Sequence, residues 1–312
     1  MNASYFVRLF LLSGEVFFLV YFSLGFLLKL ATPRLVLRAE LWHPNRAANL
    51  MAWLRMVPAL GSAVALAVCI PAYLLLEEDA GTERAAWLCL VLASASFFIC
   101  LATAFRALKA LVQSRAYLEL CRRVAEEHAG IWVIPGESPF LALAGLHQPR
   151  YIASKKLIDI FPAEELRLAL RHEQAHSLHR DNWKRFLFVA SPTFPGSRSL
   201  ELAWYHFSEL SADDFAVAGD ANSGVILASA LVRAAKYKAA PAPCPLASYF
   251  ITQKEELNAR VNRLLNAQAI AAPVEKNDPA TFWMGTIFAC LIVFAAASQM
   301  EFIHLLLESS FR

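Results

Sequence analysis

Arg171-His172-Glu173-Gln174-Ala175-His176 sets two histidines four residues apart, with a glutamate directly after the first. On a helix, residues i and i+4 share a face, so both imidazoles reach one metal ion. Glu173 stands about 100° round the helix from His172 and can face a water beside that ion. The spacing is the H-E-x-x-H pattern of zinc hydrolases. A catalytic zinc takes three protein ligands and keeps a fourth position open, so another donor is needed. Glu209-Leu210-Ser211-Ala212-Asp213, in a later stretch that reads as helix, offers one. Glu209 can ligate the metal. Asp213, one turn on, can accept a hydrogen bond from the far nitrogen of a ligating histidine and so fix its tautomer. The competing reading makes both of them ordinary surface acids.

Around this motif the chain is strongly apolar, with 58% hydrophobic residues and a mean hydropathy of +0.44, which argues against a soluble enzyme. Four stretches of about 20 residues carry the excess, each long enough to cross a hydrocarbon core of roughly 30 Å. Leu9–Leu28 contains a single charge, Glu15, while Met56–Leu76, Ala85–Phe105 and Ala280–Met300 contain none. The first is too long for a cleavable signal, and Phe, Leu and Tyr stand where small residues would have to be. An ionisable residue within a span is a functional candidate. Glu15, two turns from the outer end, could equally reach the interface.

Flanking charges set the orientation. Lys29, Arg34, Arg38, Arg46 and Arg55 separate spans one and two, with Glu40 the lone acid. Glu77, Glu78, Asp79 and Glu83 dominate between spans two and three, and Arg106, Lys109, Arg115, Arg122 and Arg123 follow span three. Basic short loops stay in the cytoplasm. Residues 1–112 therefore read as three transmembrane helices, 113–279 as a cytoplasmic domain, and 280–312 as a fourth span with a short external tail, both termini outside. The net charge of +3 belongs to the basic loops, and no basic stripe interleaved with aromatics suggests a nucleic-acid partner. Cys69, Cys89, Cys100, Cys121, Cys244 and Cys290 lack metal-type spacing and read as reduced thiols.

Within 113–279, Arg115–His128 reads as a helix continuing from span three, followed by a strand at 131–134 and two more at 140–145 and 149–153. The motif helix opens at Pro162 with Glu164 and Glu165 in its first turn. It runs to about Asp181, with a continuation to Leu187 open. A break at Pro192–Gly196 precedes a helix from about Ser199 to a C-cap near Gly219. Helices at 223–238 and 253–266 follow, the Pro241–Pro245 patch lying between them. Three strands, a motif helix and a ligand helix make the minimal core of a thermolysin-like metallopeptidase. The expected fold is a multi-span α-helical membrane protein with a cytoplasmic α+β minimal gluzincin domain.

Several blocks taken in order make the chain resemble the BlaR/MecR-type antirepressor metallopeptidases, membrane proteins that signal β-lactam exposure. They are Ser138-Pro139-Phe140 with Gly145 and Pro149-Arg150, then Glu164-Glu165-Leu166 leading into His172-Glu173-x-x-His176 and Arg180-Asp181-Asn182. Glu209-x-x-Ala212-Asp213 and Leu257-x-x-Arg260-x-x-x-Leu264 complete the series. The three-plus-one arrangement of spans is similar too. The family's receptors add a large extracellular penicillin-binding sensor after the last span, which the short tail here does not match. Where the family often has Cys-Asp, this chain has Ala212-Asp213.

The resemblance implies that His172, His176 and Glu209 hold zinc. Glu173 is then the general base that takes a proton from the attacking water and passes it to the leaving amine. Asp213 and Asp181 orient ligands, helix-terminal packing being the other reading of Asp181. His206, Tyr205 and Arg260 are candidate oxyanion donors, and His179 is expected to face solvent. The strand at 140–145 is either an exposed edge that receives an extended peptide or an internal strand.

The implied activity is a membrane-anchored zinc endopeptidase of a bacterial inner membrane. It would make limited cuts in a cytoplasmic protein such as a transcriptional repressor, or in itself, in signal transduction. The trigger would come through the spans, the Glu77–Arg84 hairpin or a second protein, with spans three and four connecting directly to the domain; a membrane sensor partner or a homodimer is the expected membrane partner. A membrane quality-control zinc protease and a catalytically idle transducer are the alternatives. The short gap to Glu209 and the span layout favour the first reading over quality control, and the intact motif residues argue against the idle one. Arg171, His179, Arg180, Asp181, Lys184 and Arg185 exclude a site within lipid.

Overall fold

The computed structural model describes residues 3–76, 87–237, 244–250 and 254–266. The apolar stretch Ala280–Met300, the acidic stretch 77–84 and Cys290 lie outside the described residues. Three helices there are long and apolar enough to cross a membrane: α1 (Ala3–Ala39), α2 (Pro44–Leu76) and α3 (Trp87–Val124). They contain 37, 33 and 38 residues, roughly 50–57 Å at 1.5 Å per residue. A hydrocarbon core of about 30 Å takes little more than half of that length. Spans of about 20 residues therefore fit within these helices, whose remaining turns extend beyond the core. Residues 29–55 are not a loop but the ends of two helices joined across residues 40–43. Gly14 lets α1 and α3 cross closely, since a Cβ there would lie 2.7 Å from Ala93 Cα.

After α3 come β1 (Glu126–His128), β2 (Ile131–Ile134), β3 (Leu141–Ala144), β4 (Arg150–Ser154) and, much later, β5 (Ala247–Tyr249). They form one sheet in the order β1-β2-β4-β3-β5, with β2 and β4 parallel and the other pairs antiparallel. One expectation changes here, and one of two open readings drops out. Residues 126–128 are a strand rather than the end of a helix, and residues 247–249 add another, so the sheet has five strands instead of three. β3 is also internal, hydrogen-bonded to β4 on one side and β5 on the other, so it is no edge. All four β3 residues are buried, as the unbroken apolar run Leu-Ala-Leu-Ala suits a strand covered on both faces.

The remaining elements are α4 (Lys155–Ile160), α5 (Ala163–Leu178), α6 (Asp181–Val189), α7 (Ser197–Val217), α8 (Ala221–Ala235) and α9 (Lys254–Leu265). Ser154 caps α4, its hydroxyl accepting from Leu157 N at 3.2 Å, and Asp220 caps α8 by accepting from Asn222 N and Ser223 N. The α5 helix ends at Leu178 because Arg180 turns left-handed (φ 55°), a conformation costing an arginine about 1–2 kcal/mol. Asn182, just beyond, donates to the carbonyls of Leu143 and Gly145, each at 3.0 Å, and ties α6 to the end of β3. The core under the sheet packs Leu141, Leu157, Leu168, Leu227, Leu231 and Phe250 between α5, α8 and α9.

A second apolar cluster joins α1 and α2 to α7. Tyr21, Ala47, Met51, Phe194, Leu200 and Trp204 meet in it. At its centre Arg55 is fully buried. Its Nε donates to Glu201 Oε1 at 2.7 Å, and its Nη2 donates to the carbonyls of Phe188 (3.1 Å) and Pro192 (3.2 Å). Tyr21 donates its hydroxyl to the same Pro192 carbonyl. Gly25 and Gly196 allow the close fit of the α6–α7 connector: a Cβ on Gly25 would meet Phe194 Cβ at 2.8 Å, and one on Gly196 would meet Lys29 Cα at 2.9 Å. The long helices thus grip the connector from two sides.

Removing the guanidinium of Arg55 takes a charged donor from the carbonyls of Phe188 and Pro192 and the ion-pair partner from Glu201. Arg55→Ala is expected to destabilise the fold by about 2–3 kcal/mol, seen as a clear drop in the thermal midpoint of the purified protein in detergent. Arg123→Ala, which breaks an exposed i,i+4 pair with Glu119, should shift that midpoint little. Equal shifts would contradict the central role of Arg55.

Candidate metal centre

α5 and α7 cross so that His172, His176 and Glu209 converge, all three buried. His172 Nε2 and His176 Nε2 face each other at 3.3 Å. Glu209 Oε2 lies 3.4 Å from His172 Nε2, and its Oε1 lies 3.6 Å from His176 Nε2. Two imidazole nitrogens and a carboxylate turned toward one point suit a cation. Glu209 Oε1 and Glu173 Oε1 are moreover buried without a hydrogen-bond partner, a costly condition unless something else occupies the space between them. The residues present could hold a metal ion.

The other ring nitrogens are held by acids. His176 Nδ1 donates to Asp181 Oδ2 at 2.8 Å. On an uninterrupted helix Asp181 would stand about 140° round from His176. The left-handed turn at Arg180 brings it back within reach. Asp181 also accepts from Lys184 Nζ at 2.9 Å. His172 Nδ1 lies 3.0 Å from Asp213 Oδ1, a charge contact bent away from the line of a good hydrogen bond. Asp213 needs no helix break, because it follows Glu209 by one turn on the same face of α7.

Arg260 of α9 closes the arrangement. It donates through Nε and Nη2 to the two oxygens of Asp213 (2.8 and 2.7 Å) and through Nη1 to Glu209 Oε2 (2.8 Å). Such a planar fork suits two adjacent carboxylates, where a lysine could serve only one. Four buried carboxylates, Glu173, Asp181, Glu209 and Asp213, face one buried guanidinium and the partly exposed Lys184. A divalent cation would offset the remaining negative charge.

The acids and bases respond accordingly. Burial alone would raise Glu209, but the Arg260 charge and the His172 hydrogen bond outweigh it and bring its pKa down to about 2. Asp213 and Asp181 are likewise held below the usual carboxylate range, burial being outweighed by Arg260 for the first and Lys184 for the second. Burial would lower His172, yet Asp213 and Glu209 raise it to about 9. Glu173 moves the other way. Burial raises it, against the pull of His176 and His172.

β5 reaches this centre. Ser248 donates its hydroxyl to Glu173 Oε2 at 2.7 Å, and Phe250 packs its ring edge-on to His172 with centroids 5.4 Å apart. Nothing in the spacing around Ser248 signals the contact. Arg260 was visible as part of the Leu257-x-x-Arg260 block, but its carboxylate partners were not. Tyr205 lies in the apolar cluster beneath Arg185, whose guanidinium sits 5.4 Å from its ring. His206 stacks edge-on with Phe207, and burial lowers its pKa. His179 is only half-exposed, and burial takes its pKa down to about 4. Glu15 is buried at the contact of α1 with α3. The described cysteines are free thiols. Neither a family model nor a curated protein matches this chain.

Two outcomes follow from the charge arrangement. Arg260→Ala should weaken divalent metal binding about 10–100-fold, with Arg260→Lys recovering only part, as measured by chelator competition. Metal binding should also strengthen with pH. A metal takes neutral imidazole, while the free site keeps a proton on His172 up to about pH 9. Between roughly pH 7 and 9 the apparent affinity is expected to rise about tenfold per pH unit, with one proton released per ion bound. A flat profile would place that proton elsewhere.

Proposed function

We propose that this chain is a membrane-anchored zinc endopeptidase with a gluzincin-type catalytic unit. Its work is limited cutting of a cytoplasmic protein, or of itself, in signal transduction. The observation that carries the reading is the set of ligand separations, 3.3, 3.4 and 3.6 Å, with the unpartnered Glu173 Oε1 buried nearby. Zinc–ligand bonds of about 2.0–2.1 Å at tetrahedral angles put ligand atoms roughly 3.3–3.4 Å apart. Zinc held there supplies a Lewis acid that polarises a carbonyl and lowers the pKa of water towards 7.

The residues of the chain supply the rest. His172 and His176 bind as neutral imidazoles, oriented by Asp213 and Asp181. Glu209 completes the set and is held by Arg260. Glu173 accepts the proton of the attacking water at Oε1 and hands it to the departing amine. Its raised pKa brings it closer to the value an acid–base group needs near neutrality. The burial of the whole cluster keeps bulk water from competing.

Two observations support the finer parts of this reading. β5 pairs along β3 as an added substrate strand would, and its Ser248 already touches the base, which favours cutting of the chain itself. The basic residues Arg34, Arg38 and Arg46 at the α1–α2 hairpin favour a cytoplasmic position for it and for the helices packed on it.

Glu173→Ala should keep full zinc occupancy and lose cleavage, whereas His176→Ala and Glu209→Ala should lose zinc. Normal cleavage by the Glu173 variant would refute the mechanism. Termini newly created within residues 244–250, present in the wild type and absent from Glu173→Ala, would establish self-cutting. In whole cells, a thiol reagent that does not cross membranes should label Glu78→Cys and spare Lys155→Cys. The reverse pattern would place the catalytic unit outside.

A further inference from the structure

Beside the metal centre lies a cleft of about 480 Å³ that reaches His176. Trp183 and His147 meet edge-on with centroids 5.0 Å apart on one part of its wall, and Leu143, Pro149 and Ser177 line others. It is large enough for a substrate side chain. None of the described residues lining it is acidic, and Arg180 brings a permanent positive charge to it.

Arg180 is not needed where it would otherwise be used. Its neighbour Asp181 is buried and already shared between His176 Nδ1 and Lys184 Nζ. Among the described residues no carboxylate is paired with Arg180, which is exposed. The residue also occupies the left-handed turn (φ 55°) that a glycine would make without strain. An arginine, and not glycine, at a strained position beside a reaction centre points to a use for its side chain.

We propose that this cleft is a substrate subsite and that Arg180 makes it select an acidic side chain, Asp or Glu, close to the cut bond. The assignment rests on the endopeptidase reading. An ionised carboxylate entering beside His176 meets the guanidinium fork in the bidentate geometry that arginine favours. A Lys or Arg in the same place meets like charge and is excluded.

The test uses the full-length, zinc-loaded protein in lipid nanodiscs and a library of chymotryptic peptides from a bacterial proteome, which keep internal Asp, Glu, Lys and Arg, with cut positions read by mass spectrometry. The wild type should show Asp and Glu enriched at least about fivefold at one fixed position beside the cut. Arg180→Glu should replace that preference with Lys and Arg, Arg180→Lys should keep it in weakened form, and Arg180→Gly, which relieves the turn, should abolish it. Zinc content checks that each variant is folded. A labelled acidic peptide from the enriched set should also bind the non-cleaving Glu173→Ala protein at least about tenfold more tightly than its lysine counterpart, and adding Arg180→Gly should erase the difference. Cleavage without acidic preference, or the same preference in Arg180→Gly and Arg180→Glu, overturns the subsite while leaving the peptidase standing. A zinc-loaded wild type that cuts no peptide overturns both.

Discussion

A carboxylate cannot remain charged in a protein interior unless its partners replace the water it has lost. Three are so partnered here within one cluster, with a fourth, Glu173, beside them, and the arrangement of the helices around them follows from that requirement. Glu209 and Asp213 come on one helix face and share the guanidinium of Arg260. Asp181 is served by Lys184 and His176. Glu173 has Ser248 on one oxygen only. Apart from His176 on α5, the partners lie on three further elements: α9, α6 and β5. Losing any one leaves a buried anion exposed to its neighbours' repulsion, so α5 and α7 alone could not keep the site together. The chain must bring back residues from well beyond Glu209 to complete it.

The same helix answers to the apolar helices. Glu201, near the start of α7, is anchored by Arg55 of α2, and Glu209, two turns further on, is anchored by Arg260 of α9. The connector that leads from the histidine-bearing side into α7 is gripped by Tyr21 and Arg55 together. Packing at native density transmits displacement instead of absorbing it. A shift between α1 and α2 would therefore reach α7 and the position of Glu209 relative to the two imidazoles.

What the sequence disclosed and what it hid follow from the range of the interactions involved. His172, Glu173 and His176 were legible because their relation is local, fixed by the helical repeat. The approach of Glu209 was legible only because a carboxylate pair one turn apart is itself a pattern. The strand at 126–128 was not, since Glu-Glu-His carries no apolar alternation and all three residues are exposed; it forms by pairing with β2. Residues 29–55 were misread because arginines there looked like loop punctuation. Arg34 and Arg38 are exposed on a continuing helix, and Arg55 is buried where backbone carbonyls and Glu201 receive it. No local pattern distinguishes those two uses of arginine. Ser248 was invisible for the same reason: its partner is 75 residues away in the chain.

The turn at Arg180 shows how such long-range demands act back on local structure. The apolar spacing of α5 would let the helix run on into α6, and a continuous helix would avoid the strain of a left-handed arginine. It would also carry Asp181 about 140° away from the nitrogen that it must accept from. His176 would then keep a proton donor buried without an acceptor, at a cost of about 1–3 kcal/mol. That exceeds or matches the roughly 1–2 kcal/mol of the strained residue. The break is thus the cheaper solution, and it does two further things at once. It starts α6 with an acid in its first turn, where the helix dipole favours one. It also directs Asn182 onto the carbonyls of Leu143 and Gly145, so the same turn that orients a candidate ligand fixes the wall of the cleft beside it.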